Sequence, residues 1–182
     1  MSMPPPETLY VCPLDAVEAM VARVRPGHLI SLVNEEAMRH LGRPASVPAH
    51  RHLRLEMNDI SAPEPGLSAP LPEHVSAIID FAVSWDRAAP LLINCLAGVS
   101  RSTAAAFTIA CALNPETDEA QIARLLRDTS PTAQPNRRLV GFADEALGRE
   151  GRMVRAAEAI AASAAIAPAR PFAMPARIAA KE

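Results

Sequence analysis

Hydrophobic and polar positions along the chain alternate between two periods. Apolar runs too short for helices stand at Leu9-Tyr10-Val11-Cys12, His28-Leu29-Ile30-Ser31-Leu32-Val33 and Leu91-Leu92-Ile93-Asn94-Cys95, each with proline or glycine at one border. At 52–57 apolar and polar residues alternate, as on a half-buried strand. Between these runs the spacing becomes helical. Val17, Met20, Val21 and Val24 share a face that ends at Pro26-Gly27, Asn34 can cap a short helix over 35–41, and Val75, Ile78, Ile79, Ala82 and Val83 recur one turn apart. An Ala-rich run at 103–112 reads as a packed helix.

The second half of the chain continues in the helical period. Thr117 is positioned to cap a helix with Asp118 and Glu119 in its first turn and Ile122, Leu125 and Leu126 on its core face. Pro135-Asn136 opens a further stretch through Leu139, Val140, Phe142 and Leu147, and Met153, Val154, Ala157, Ile160 and Ala161 outline one more amphipathic helix. Beyond it, Pro168, Pro171 and Pro175 are expected to break any regular element, leaving a tail that is mobile or docked in an extended form.

Strands alternating with helices predict an α/β fold: a mostly parallel central sheet flanked by helices on both faces. The expected organisation is an extension at 1–8, one folded unit at 9–147, and a helix with a Pro/Ala-rich tail at 148–182. Sites in such sheets lie beyond the carboxyl ends of the strands. Cys95 and Asp59 both fall at such ends, the second after the strand at 52–57 and before a proline-dense loop at 62–72.

Composition narrows the function classes. The chain has 182 residues, nearly half of them apolar, and a formal net charge of -2, so nothing marks nucleic acid or an anionic membrane as a partner. No apolar run is long enough to span a bilayer, and the first residues carry no secretory signal pattern. Three cysteines, Cys12, Cys95 and Cys111, have neither paired nor metal-type spacing, which argues for reduced thiols in a cytoplasmic protein. His28, His40, His50, His52 and His74 show no ligand spacing either, and no metal or other cofactor is expected.

The candidate chemistry lies between the strand at 91–95 and the helix behind it. Backbone N–H groups at a helix start are unpartnered and bind anions, and the same donors favour the thiolate of a cysteine held there. Arg101 follows Cys95 by six positions, close enough for a loop to turn its planar guanidinium back over the sulfur, where it matches two phosphoryl oxygens. Ser102 can donate to the sulfur, and Asp59 can serve as a general acid for a leaving oxygen.

Cys95-Leu96-Ala97-Gly98-Val99-Ser100-Arg101-Ser102 resembles the Cys-x5-Arg-Ser/Thr signature of the cysteine-dependent protein tyrosine phosphatases, in its spelling most of all their dual-specificity branch. The resemblance covers about 9–147, with Asp59 matching that branch's acid and Pro135-Asn136 the approach to its last helix. It implies a metal-independent phosphoester hydrolase working through a phosphocysteine. Cys95 would be the nucleophile, Arg101 the phosphate clamp, and Leu96, Ala97, Gly98, Val99, Ser100 and Arg101 the backbone cradle. It departs at Asn94, where most members have His, so Asn94 is expected to support the loop without a titratable ring.

Two other readings stay open: a phosphate-binding relative that recognises phosphorylated partners without turnover, and a sulfur transferase with a cysteine facing a helix start. The expected substrate is a phosphorylated protein or a small phosphate ester.

Overall fold

The structure is a computed structural model that describes residue 5 and residues 7–178. Its centre is a five-stranded sheet of β1 (Thr8–Pro13), β2 (His28–Val33), β3 (His52–Glu56), β4 (Leu91–Cys95) and β5 (Phe172–Pro175), in the order β3-β2-β4-β1-β5. The first four strands are parallel, and β5 joins antiparallel to β1.

Alternation along the buried strands sends their side chains into two separate cores. Cys12, Leu29 and Leu92 pack on one face beneath α1 (Val17–Val24). Leu9, Val11, Ile30, Leu32 and Ile93 face the larger core, shared with α3 (Pro72–Ser84), α4 (Arg101–Leu113), α5 (Glu119–Thr129), α6 (Arg137–Ala146) and α7 (Arg152–Ala161). The short α2 (Glu35–His40) follows β2, with the Asn34 side chain accepting from Ala37 N as its cap. Helices on both faces of a mostly parallel sheet are the architecture expected from the pattern.

Four local expectations change. α4 starts at Arg101, two residues before the Ala-rich run, because the preceding loop has already turned the backbone into the helix. Asp118, not Thr117, caps α5, its carboxylate accepting from Gln121 N. Val83 is 62% exposed, turned off the face that buries Val75, Ile78 and Ala82. And a regular strand forms among the tail prolines.

That strand, β5, lies at the sheet edge, where proline's missing N–H removes nothing from an inner ladder. Asn114 at the end of α4 pins the chain just beyond β5: Nδ2 donates to Ala176 O and Oδ1 accepts from Ile178 N, both at 2.8 Å. Met153, Ala157, Ile160 and Met174 join the same core as α4. A buried ion pair links this segment to α5, with Arg149 Nη1 3.0 Å from Glu119 Oε1 and Nη2 donating to Cys111 O.

Candidate active site

β4 ends at Cys95 and α4 begins at Arg101, so five residues must reverse direction and leave their polar backbone groups satisfied. The carbonyls do this by facing outward. Leu96 O accepts from Leu14 N at 3.1 Å, Val99 O from Gln134 N at 2.9 Å, and Ser100 O from Asn136 N at 3.2 Å and Ala104 N at 2.9 Å. In a planar trans peptide the following N–H points the opposite way, so the amides of Ala97, Ser100 and Arg101 turn toward the hollow of the loop.

Gly98 is what lets the loop close. Its φ is +71°, and a β-carbon there would stand 2.7 Å from Pro13 N, so both conformation and space require glycine. Gly98 N donates to Cys95 Sγ at 3.2 Å, and Ser102 Oγ lies 3.1 Å from the same sulfur. Cys95 is buried at the floor, while Leu96 and Ala97 lie exposed on the rim.

Arg101 is only 4% exposed despite its charge. Its Nη1 donates to Met57 O at 2.7 Å, which fixes the guanidinium plane; Nε and Nη2 make no hydrogen bond to protein among the described residues. Nε on that second edge is ion-paired with Asp59 Oδ2 at 3.8 Å, and the edge retains hydrogen-bonding capacity that an anion could use.

Asp59 sits over the loop from the β3 side. Both of its hydrogen bonds go to Oδ1, from Ser100 Oγ at 2.6 Å and Asn136 Nδ2 at 2.8 Å. Oδ2 stands 3.8 Å from Arg101 Nε without a hydrogen bond among the described residues. The Asp59 loop is tied back through Asn58, whose N donates to Ser68 O and whose Oδ1 accepts from Ser68 N. Beside Asp59 an open hollow of about 300 Å³ is lined by Ser61, Ser100, Gln134, Asn136 and Arg137.

Asn94 lies on the other face of β4. Its Oδ1 accepts from Ser31 Oγ at 2.7 Å, and Ser31 Oγ is 3.0 Å from His52 Nε2. Burial, with Arg43 and Arg54 nearby, pushes the His52 pKa down to about 4. Cys12 and Cys111 are also buried, which pushes each thiol up to about 12. All three cysteines are free thiols.

The structure thus brings Cys95, Gly98, Ser100, Arg101, Ser102 and Asp59 to one end of the sheet, with Asn94 beneath. Asn136, the Met57 carbonyl, Ser31 and His52 join them without having been marked for the site by the sequence. Asn136 carried a signal as a helix cap, and it does cap α6, Oδ1 accepting from Arg138 N and Leu139 N; nothing in the pattern pointed its amide nitrogen at Asp59. Among the described residues no group of three or more His, Cys, Asp or Glu side chains could hold a metal ion, and no helix is long and apolar enough to cross a membrane.

Solved structures share this fold. That of DUSP15 aligns over 88% of this chain and 93% of its own at a TM-score of 0.56 and 18% identity. The chain has the dual-specificity phosphatase fold. Human DUSP28 aligns over 82% of this chain and 99% of its own (TM-score 0.57, 18% identity). The human tyrosine phosphatase-like serine/threonine/tyrosine-interacting protein aligns over 78% and 92% (TM-score 0.58, 14% identity). No protein-family model matches the sequence, and no curated protein does.

Proposed function

We propose that this protein is a cysteine-dependent phosphoester hydrolase of the protein tyrosine phosphatase type. The observation that carries the reading is the setting of Cys95 Sγ, held between Gly98 N and Ser102 Oγ on the floor of a loop whose amides face inward, with the buried Arg101 guanidinium behind it.

In the first step Cys95 Sγ forms a bond to phosphorus as the ester P–O bond breaks. Asp59 gives its proton to the departing oxygen. Oδ2 is the oxygen suited to carry that proton, because Ser100 and Asn136 already occupy Oδ1. The hollow beside Asp59 receives the leaving group. In the second step water attacks phosphorus, Asp59 takes up a water proton, and the S–P bond breaks with Ser102 Oγ donating to the sulfur. Arg101 and the loop amides stabilise the phosphoryl oxygens throughout by positioned charge. Each turnover gives phosphate and the free alcohol or phenol, with no metal taking part.

The substrate is a phosphorylated protein or a small phosphate ester. Asn94 favours a second reading, a cradle that binds phosphate without turnover, because it brings no titratable ring to the position before the nucleophile. Hydrolysis of p-nitrophenyl phosphate with EDTA present separates the two. A phosphatase turns over, is inhibited by vanadate, and loses turnover in Cys95→Ser while that variant still binds phosphate. Turnover that survives Cys95→Ser refutes the mechanism. Absent turnover with a vanadate-raised Tm selects the binding reading.

A further inference from the structure

We infer that Ser31 and His52 are positioning residues for the nucleophile loop, acting through Asn94 as a hydrogen-bonded crosspiece beneath the cradle. The inference deepens the phosphatase reading and rests on it. The three side chains belong to adjacent strands, His52 on β3, Ser31 on β2 and Asn94 on β4. Register pairs Leu29 with His52 and Ser31 with Asn94, so the crosspiece runs across the strands on one face of the sheet. His52 is 4% exposed and the other two fully buried, on the face that otherwise buries Leu29, Leu92 and Cys12.

The chain of bonds has one direction. Asn94 Oδ1 only accepts, so Ser31 Oγ gives it its single proton, and Ser31 can then only accept from His52, whose proton sits on Nε2. Burial keeps that ring neutral at neutral pH, which leaves one proton and therefore one tautomer. Two polar atoms stay without a partner among the described residues, His52 Nδ1 and Asn94 Nδ2. A half-satisfied network is a poor way to stabilise a core that leucine or valine could fill.

Its place explains what it does. Asn94 immediately precedes Cys95 at the end of β4, and Ser31 pairs with it in register from β2. The crosspiece fastens that end of β4 to β2 and β3 from the side, one residue before Cys95. Moving the end of β4 would move the sulfur relative to the amides and to Arg101.

The test compares Ser31→Ala with Ser31→Thr, and His52→Leu with His52→Gln, in the full chain. It reads kcat and KM on p-nitrophenyl phosphate, tungstate affinity by calorimetry, and folded fraction by circular dichroism. Ser31→Ala is expected to lower kcat by about tenfold or more with KM within about threefold, and to weaken tungstate binding, while Thr restores the hydroxyl and most of the rate. Should Ser31→Ala not fold, the His52 pair decides: loss in Leu with retention in Gln supports the crosspiece, and equal behaviour overturns it. Wild-type kinetics and tungstate affinity in folded Ser31→Ala overturn it too. If the wild type binds tungstate without turnover, the phosphatase reading fails and tungstate affinity alone judges the crosspiece. If it binds no oxyanion, both fall.

Discussion

Asn136 Nδ2 donates to Asp59 Oδ1 at 2.8 Å across a sequence separation of 77 residues. The same side chain caps α6 through its oxygen, so the helix start and the carboxylate are held by one amide. Ser100 Oγ donates to that carboxylate from the loop side, so Asp59 is located by two elements that move with the cradle.

If Asp59 protonates the leaving oxygen, the need for it grows with the basicity of the leaving group. Asp59→Asn is expected to lower kcat on phenyl phosphate by about a hundredfold, and on p-nitrophenyl phosphate by less. Asn136→Ala, which leaves Asp59 one donor fewer, should follow the same order with a loss of about tenfold on phenyl phosphate. Steady-state rates on the two esters check this, and an equal loss on both would remove Asp59 from the acid role.

Gly98→Ala brings a β-carbon within 2.7 Å of the Pro13 backbone at a φ of +71°. The loop has to shift, and its amides with it. Tungstate affinity is expected to fall by about tenfold or more, with about 1–2 kcal/mol of stability lost to the strained backbone. Calorimetry and urea unfolding measure the two effects separately.

His52, His28 and His74 all have pKa values lowered by burial, His52 to about 4. The unfolded chain, with ordinary histidines near 6.5, then binds protons more readily than the folded one below that pH. Stability is therefore complete above about pH 6.5 and falls as pH drops toward 4. His52 accounts for about 2–3 kcal/mol of this fall by pH 4.5. Urea unfolding at pH 7, 5.5 and 4.5 should show the decline, shallower in His52→Gln; a flat profile in the wild type would contradict it.

Burial pushes the Cys12 and Cys111 thiols up to about 12. Both are expected to resist iodoacetamide at pH 8 in the native protein and to react once it is unfolded in urea. Peptide mass spectrometry of the two samples distinguishes the states, and native alkylation of either residue at a free-thiol rate would refute the expectation.

Glu119 is 3% exposed and contacts both Arg149 and Arg152. Glu119→Ala leaves the buried Arg149 guanidinium without its carboxylate and should cost about 3 kcal/mol or more, measured by urea unfolding. A loss below about 1 kcal/mol would show that the carbonyls of Cys111 and Pro115 suffice to hold Arg149.

The loop from Cys95 to Ser102 could be read from the chain because its parts are near neighbours: strand end, glycine turn, helix start and the groups they carry fall within eight consecutive residues. Asp59 was legible by position, as a carboxylate just past the carboxyl end of a strand. Neither the Asn136 contact nor the crosspiece could be found that way. Ser31 meets His52 across 21 residues and Asn94 across 63, and a buried serine in an apolar strand reads like any other interruption of the pattern.

Periodicity alone determined that this chain builds a mostly parallel sheet with helices on both faces, because short apolar runs and amphipathic helices have few ways to bury their surfaces together. Spacing alone put a thiol, a guanidinium and free amides in one loop. Tertiary structure decided the rest: that β5 forms an edge strand despite its prolines, that Asn136 holds Asp59 while Asn94 bonds Ser31 beside His52, and that Arg101 turns Nη1 to Met57 O and Nε toward Asp59. These are contacts between groups distant in sequence, and a buried hydrogen bond forms only where packing brings a donor and an acceptor within about 3 Å.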